Sequence, residues 1–213
     1  MLSHLSYSQE IPDTLKEKVD SLLLKTPKTC QEIDMFLEPY SNDSISLRYI
    51  ETKSISKKYL LGQAYALNQL GSIYRDLTQY TKALELYQKA LRASVEADNI
   101  EFRVYTLNII TSLNSIAGIY QMLEQYDLAI EKYENAMILE KQLDDKEGLA
   151  VNHQNLGECY ESQAKLEDAL KNFRKSLVYN EMVGSNRGKI ICNYSIAHVY
   201  VHLGKIDEAT TIL

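Results

Sequence analysis

Two histidines four residues apart, His198 and His202 in the run His-Val-Tyr-Val-His, have the spacing best suited to metal chemistry in this chain. Residues i and i+4 share one face of a helix, so both imidazoles could hold a single divalent ion. The run lacks the glutamate that a zinc-protease helix carries after its first histidine. Two ligands alone make a weak site, so these residues are read as solvated histidines and no metal is assigned. The three cysteines, Cys30, Cys159 and Cys192, are far apart and form no CxxC pair, which leaves the usual zinc spacing absent. Cys159 and Cys192 fall on apolar-patterned segments and are read as small buried hydrophobes. No G-x-S-x-G, phosphate-loop lysine or G-x-G-x-x-G occurs. The reading is therefore of a chain that is not an enzyme, with no catalytic residue and no cofactor.

Composition narrows the class. Hydrophobic residues make up 45% and charged residues 24% of 213 residues, as in ordinary globular proteins. Only 8 glycines and 3 prolines punctuate the chain, and Pro12, Pro27 and Pro39 all precede Tyr40. Long helices can run uninterrupted after that point, whereas many short strands would need more turn residues. The formal net charge is −6, with 23 basic residues dispersed among 29 acidic ones. Nucleic-acid binders gather Lys and Arg on one face, so direct DNA or RNA binding is not expected. No apolar run is long enough for a membrane-spanning helix. The first residues lack the basic and apolar regions of an export signal. They are read as a flexible end or as the remnant of such a signal. The compartment stays open between cytoplasm and periplasm, and the oligomeric state stays open too.

One frame recurs four times and supplies the elements that must position any site. Leu70-Gly71-Ser72-Ile73-Tyr74 returns as Ile116-Ala117-Gly118-Ile119-Tyr120, Leu156-Gly157-Glu158-Cys159-Tyr160 and Ile196-Ala197-His198-Val199-Tyr200, at spacings of 46, 40 and 40. Thirteen residues after each anchor stands Ala83, Ala129, Ala169 or Ala209, and four later Tyr87, Tyr133 or Phe173. Small residues belong where two helices cross at roughly 8–10 Å, and an aromatic fills the wedge between them. Leu70, Ile73, Tyr74 and Leu77 line one helical face, and Ala83, Leu84, Tyr87 and Leu91 line the next. Such hairpins cannot bury their inner faces alone, so neighbours must stack. Repeat two carries six extra residues around Asn99 to Asn108, which predicts a first helix of roughly 24 residues, about 36 Å.

These residues resemble the tetratricopeptide repeat, with its apolar-small-x-x-Tyr first helix and Ala-x-x-x-aromatic-x-x-Ala second helix. The period of 40 instead of 34, and the lack of a closing proline, resemble the longer-helix subclass found in polarity scaffolds, kinesin light chains and bacterial signalling proteins. The resemblance implies an all-α, right-handed superhelical solenoid of antiparallel helix pairs. It also implies a concave groove, lined by the first helix of each pair, that binds a protein or peptide. The groove positions carried over are Tyr65, Asn68, Gln69, Ser72 and Arg75; Asn114 and Gln121; Gln154, Asn155 and Glu158; and Tyr194 and His198. Asn155 matches the asparagine that long-repeat members use to bond a ligand's backbone, since an amide offers both a donor and an acceptor. The alternative is that these side chains are solvated walls or ties between neighbouring helices. Arg75 is the lone basic residue among them, so capture of a free carboxylate is disfavoured. A neutral to mildly basic partner fits better.

The expected organisation is a flexible N-terminus over 1–12, N-terminal helices over 13–59 and four repeats over 60–213. The repeats divide as 60–97, 98–143, 144–183 and an incomplete 184–213. Over 13–59, Thr14-x-x-Glu17 and Thr29-x-x-Glu32 read as capping boxes, and Asn42 with Asp43 as the cap of a third helix ending near Ser56. Ile206, Ala209, Ile212 and Leu213 would present apolar surface with no successor, so the chain is expected to be part of a longer protein. The leading functional expectation is a non-catalytic interaction module. The alternative is the regulatory arm of a larger bacterial signalling protein, a histidine kinase or a helix-turn-helix regulator.

Overall fold

The computed structural model describes residues 11–37, 40–97 and 102–213. Among them there is no strand. The helices are α1 (Asp13–Lys25), α2 (Cys30–Leu37), α3 (Ser44–Ser56), α4 (Leu60–Asp76), α5 (Tyr80–Ala97), α6 (Phe102–Met122), α7 (Tyr126–Leu143), α8 (Lys146–Ser162), α9 (Leu166–Met182), α10 (Asn186–His202) and α11 (Ile206–Ile212), with a 3₁₀ turn at Tyr40–Asn42. The chain divides into two compact units, residues 1–108 and 109–213, the boundary falling inside α6. The 21 residues of α6 exceed the 17 of α4, α8 and α10, as the extra sequence in repeat two predicts. The expectation for residues 98–101, like that for 1–10, lies outside the described residues.

Helix starts follow local chemistry. The Asp43 carboxylate accepts from the Ser46 amide at 2.8 Å and caps α3, while Asn42 lies in the 3₁₀ turn. The Glu32 amide donates to Thr29 Oγ1 at 3.1 Å and the Lys28 amide to Glu32 Oε2 at 2.8 Å, a reciprocal cap at the head of α2. The expectation for Thr14 is corrected. The α1 helix begins at Asp13 after Pro12, with no side-chain cap, and the Thr14 hydroxyl meets the Tyr40 hydroxyl at 2.8 Å. Proline needs no partner for its missing N–H, which suits it to this position.

Helix ends show the repeat most plainly in the backbone. Thr78, Glu124, Ala164 and Gly204 all have φ between 58° and 73°. They stand at the same 46-, 40- and 40-residue spacings as the sequence frame. Each follows a first helix whose tyrosine carbonyl closes a six-residue ring. Gln79, Gln125, Lys165 and Lys205 donate their amides to the carbonyls of Tyr74, Tyr120, Tyr160 and Tyr200 at 2.8–2.9 Å. This left-handed cap reverses the chain within three residues, so consecutive helices run antiparallel.

The small-on-aromatic contact holds the α4–α5 and α8–α9 pairs. A Cβ on Gly71 would stand 2.7 Å from the Tyr87 ring, and one on Gly157 would stand 2.4 Å from the Phe173 ring. No side chain larger than hydrogen fits without displacing the aromatic. In unit 1 the core runs from Leu15, Leu22, Ile33, Leu47 and Ile50 into Leu61, Leu67, Leu70 and Ala90, so the N-terminal helices share one interior with α4 and α5. In unit 2 one core joins Ala117, Tyr133, Leu149 and Leu156, and another joins Phe173, Ile196 and Val199. Burying each leucine, isoleucine, valine or phenylalanine of these cores contributes about 1.5–3 kcal/mol.

Candidate functional site

Within unit 2 the first helices α6, α8 and α10 present polar side chains that tie one repeat to the next. Tyr133 donates its hydroxyl to Gln121 Oε1 at 3.0 Å, and Gln121 Nε2 donates to Glu158 Oε2 at 3.2 Å. Gln154 Nε2 reaches Glu158 Oε1 at 3.2 Å and Ser195 Oγ at 2.9 Å. One repeat further on, Glu161 Oε1 meets His198 Nδ1 at 2.7 Å. The pairs Gln121–Glu158 and Glu161–His198 occupy the same two places in the frame, so this is one tie used twice. The Tyr194 ring is 65% exposed and stacks on His198 with centroids 6.3 Å apart. The structure thus joins Gln121, Gln154 and Glu158 in one polar wall, whereas Tyr194 and His198 line an apolar groove with Ala197, Val201 and Ile206. Asn155 lies beside the wall, half-buried and tied to no other described side chain.

Two of the carried-over positions face elsewhere. Tyr65 is corrected: it is 2% exposed, belongs to the unit 1 core, and its hydroxyl donates to Asp34 Oδ1. Its place in the frame is inward, but α2 packs over α4 and closes it off. Asn114 is also turned inward, its Nδ2 lying 3.5 Å from Glu140 Oε1. On α4, Ser72 accepts from Arg75 at 3.0 Å, and Arg75 also pairs with Asp76 at 2.9 Å; Asn68 and Gln69 are half-buried beside them.

Glu140 itself was not singled out by the sequence. It has no accessible surface, and Asn152 Nδ2 donates to its Oε1 at 2.6 Å. Burial raises its carboxyl above the ordinary value; the Asn152 and Asn114 amides act in the opposite direction, and Asp145 adds to the rise. Its counterparts in the frame, Ser54, Ser94 and Asn180, are also buried and polar. That recurrence is the signal that could have found it.

The two described cysteines, Cys159 and Cys192, offer no nucleophile. Cys159 and Cys192 are buried, and burial pushes the Cys159 thiol up to about 12. The Cys30 side chain lies outside the described residues. A cleft of about 340 Å³ opens elsewhere in unit 2, lined by His153, Lys141, Lys171 and Lys175 among others, and none of the carried-over positions borders it. No described helix is long and apolar enough to cross a membrane.

A tetratricopeptide-repeat family model matches residues 108–177, and a second matches residues 64–94. No curated protein matches the chain. Among solved structures, the apo form of RapI is 14% identical with a TM-score of 0.72, covering 92% of this chain and 51% of its own. Aspartyl phosphate phosphatase F from Bacillus subtilis is 18% identical with a TM-score of 0.71, covering 93% of this chain and 49% of its own. A Rap protein complexed with Competence and Sporulation Factor is 18% identical with a TM-score of 0.62, covering 94% and 56%. The chain thus spans about half the length of these structures. At these identities the likeness shows the fold alone, an all-helical repeat solenoid.

Proposed function

The chain belongs to the tetratricopeptide-repeat proteins, and from that premise we propose that it binds a protein or peptide along the polar first-helix wall and performs no chemistry there. The observation that carries the reading is the side-chain chain from Gln121 through Glu158 and Gln154 to Ser195, with the unengaged Asn155 amide beside it. Fixed polar groups of this kind lose little freedom when a ligand docks. An amide of this type pairs with both halves of a peptide group. Glu158 and Glu161 give the wall a negative bias, which favours a neutral to mildly basic partner. A structurally similar Rap protein is complexed with Competence and Sporulation Factor, a precedent for ligand capture by this fold. Another similar protein is named a phosphatase, but at 18% identity that activity does not transfer.

The test is selection of peptides from a displayed library against the wild-type chain, followed by affinity measurement on Asn155→Ala and Gln154→Ala. A tenfold loss, about 1.4 kcal/mol, is expected in at least one variant. Unchanged affinity in both would remove the wall from the account. A second reading, a regulatory arm of a larger signalling protein, is favoured by the half-length match to the Rap structures. Reading the gene beyond codon 213 separates the two: a kinase or helix-turn-helix segment there supports the arm.

A further inference from the structure

The geometry points to a divalent transition-metal site formed by Glu161, His198 and His202. Glu161 lies in the last turn of α8, and His198 and His202 lie in the last two turns of α10. One ligand atom from each falls within 4.8 Å of the others. Tetrahedral ligands about 2.0–2.1 Å from a zinc ion stand roughly 3.3 Å from each other, so a shift of about 1.5 Å closes the set. The side chains have room for it. His202 is exposed, the two imidazole centroids are 4.5 Å apart, and Glu161 already meets His198 at 2.7 Å.

The donor set decides the class of ion. Two imidazoles and one carboxylate suit Zn²⁺, Ni²⁺ or Cu²⁺, whereas Ca²⁺ and Mg²⁺ want oxygen alone. Tyr194 stacked on His198 limits that ring's rotation, as groups around metal ligands commonly do. Three protein ligands leave a coordination position open to water or to a partner's side chain. The preceding repeat shows what a plain structural tie looks like: Gln121 and Glu158 occupy the same places as Glu161 and His198, but Ser162 stands where His202 would be. The third ligand therefore distinguishes this junction. An ion held there joins α8 to α10 and stabilises the folded state by mass action.

Calorimetric titration of the chain with ZnCl2 tests the assignment, with Co²⁺ visible absorption reporting the geometry. One ion per chain is expected, with a rise in melting temperature. His202→Ala and Glu161→Gln should each weaken binding at least tenfold and abolish that rise. The metal-free His202→Ala variant should melt like wild type, because His202 is exposed. In the wild-type chain the imidazole NMR signals of His198 and His202 should respond to the ion, which locates the site whatever the variants do. Absence of saturable binding, undiminished binding in both variants, or unmoved His198 and His202 signals would overturn it.

Discussion

Glu140 shows how one side chain can set the pH behaviour of a whole unit. Its Oε2 and the amide oxygens of Asn114 and Asn152 are buried with no donor among the described residues. A proton on Glu140 supplies one, and burial favours the same neutral form. The folded state then holds this proton more tightly than the unfolded chain. Its stabilising contribution is complete below the ordinary carboxyl value of 4.5 and is lost as pH rises through the raised folded value. Glu140→Gln keeps a donor there permanently. In urea melts across pH, this variant should match wild type in acid and exceed it near pH 7 by on the order of 1 kcal/mol. Parallel profiles would mean that folding does not raise the Glu140 carboxyl. Gly157 makes a second residue-scale prediction. A methyl placed 2.4 Å from the Phe173 ring forces the aromatic out of its slot. Gly157→Ala should therefore lower stability by about 1–3 kcal/mol despite alanine's better helix propensity, read as a lower urea midpoint with unchanged slope.

At the scale of elements, the turn after each first helix needs a left-handed residue, and only the last of the four is glycine. Ala164 adopts φ of 58° at a cost of about 1–2 kcal/mol that glycine avoids. Glycine gives part of that back through unfolded-state entropy. Ala164→Gly should gain about 0.5–1 kcal/mol, seen as a rise of roughly 1–4 °C in melting temperature. The helix pairs were legible because each depends on a local pairing of small and aromatic residues at fixed offsets, Gly157 with Phe173 and Gly71 with Tyr87. Those turns were not legible as left-handed, since threonine, glutamate and alanine carry no such signal at positions 78, 124 and 164. Nor were contacts that depend on a third element. Tyr65 looks like a groove residue in its own helix and is buried only because α2 covers it. The carboxylate beside His198 lies 37 residues away, where no local motif reaches, although the frame that aligns Gln121 with Glu161 and Glu158 with His198 would have pointed to it.

At the scale of the whole molecule, the charge of −6 and the scatter of basic residues argue against a phosphate-binding face. Fluorescence anisotropy with a labelled DNA duplex should show no binding at physiological salt. The polar wall gives the repeat stack its proposed use, since its side chains hold one another in place while Asn155 remains open to a ligand. The most direct test is two-dimensional NMR of the labelled chain titrated with a library-selected peptide. The side-chain amides of Gln121, Gln154 and Asn155 should shift together and saturate at one peptide per chain. Shifts confined to the second helices α7 and α9, with those three amides unmoved, would contradict the account.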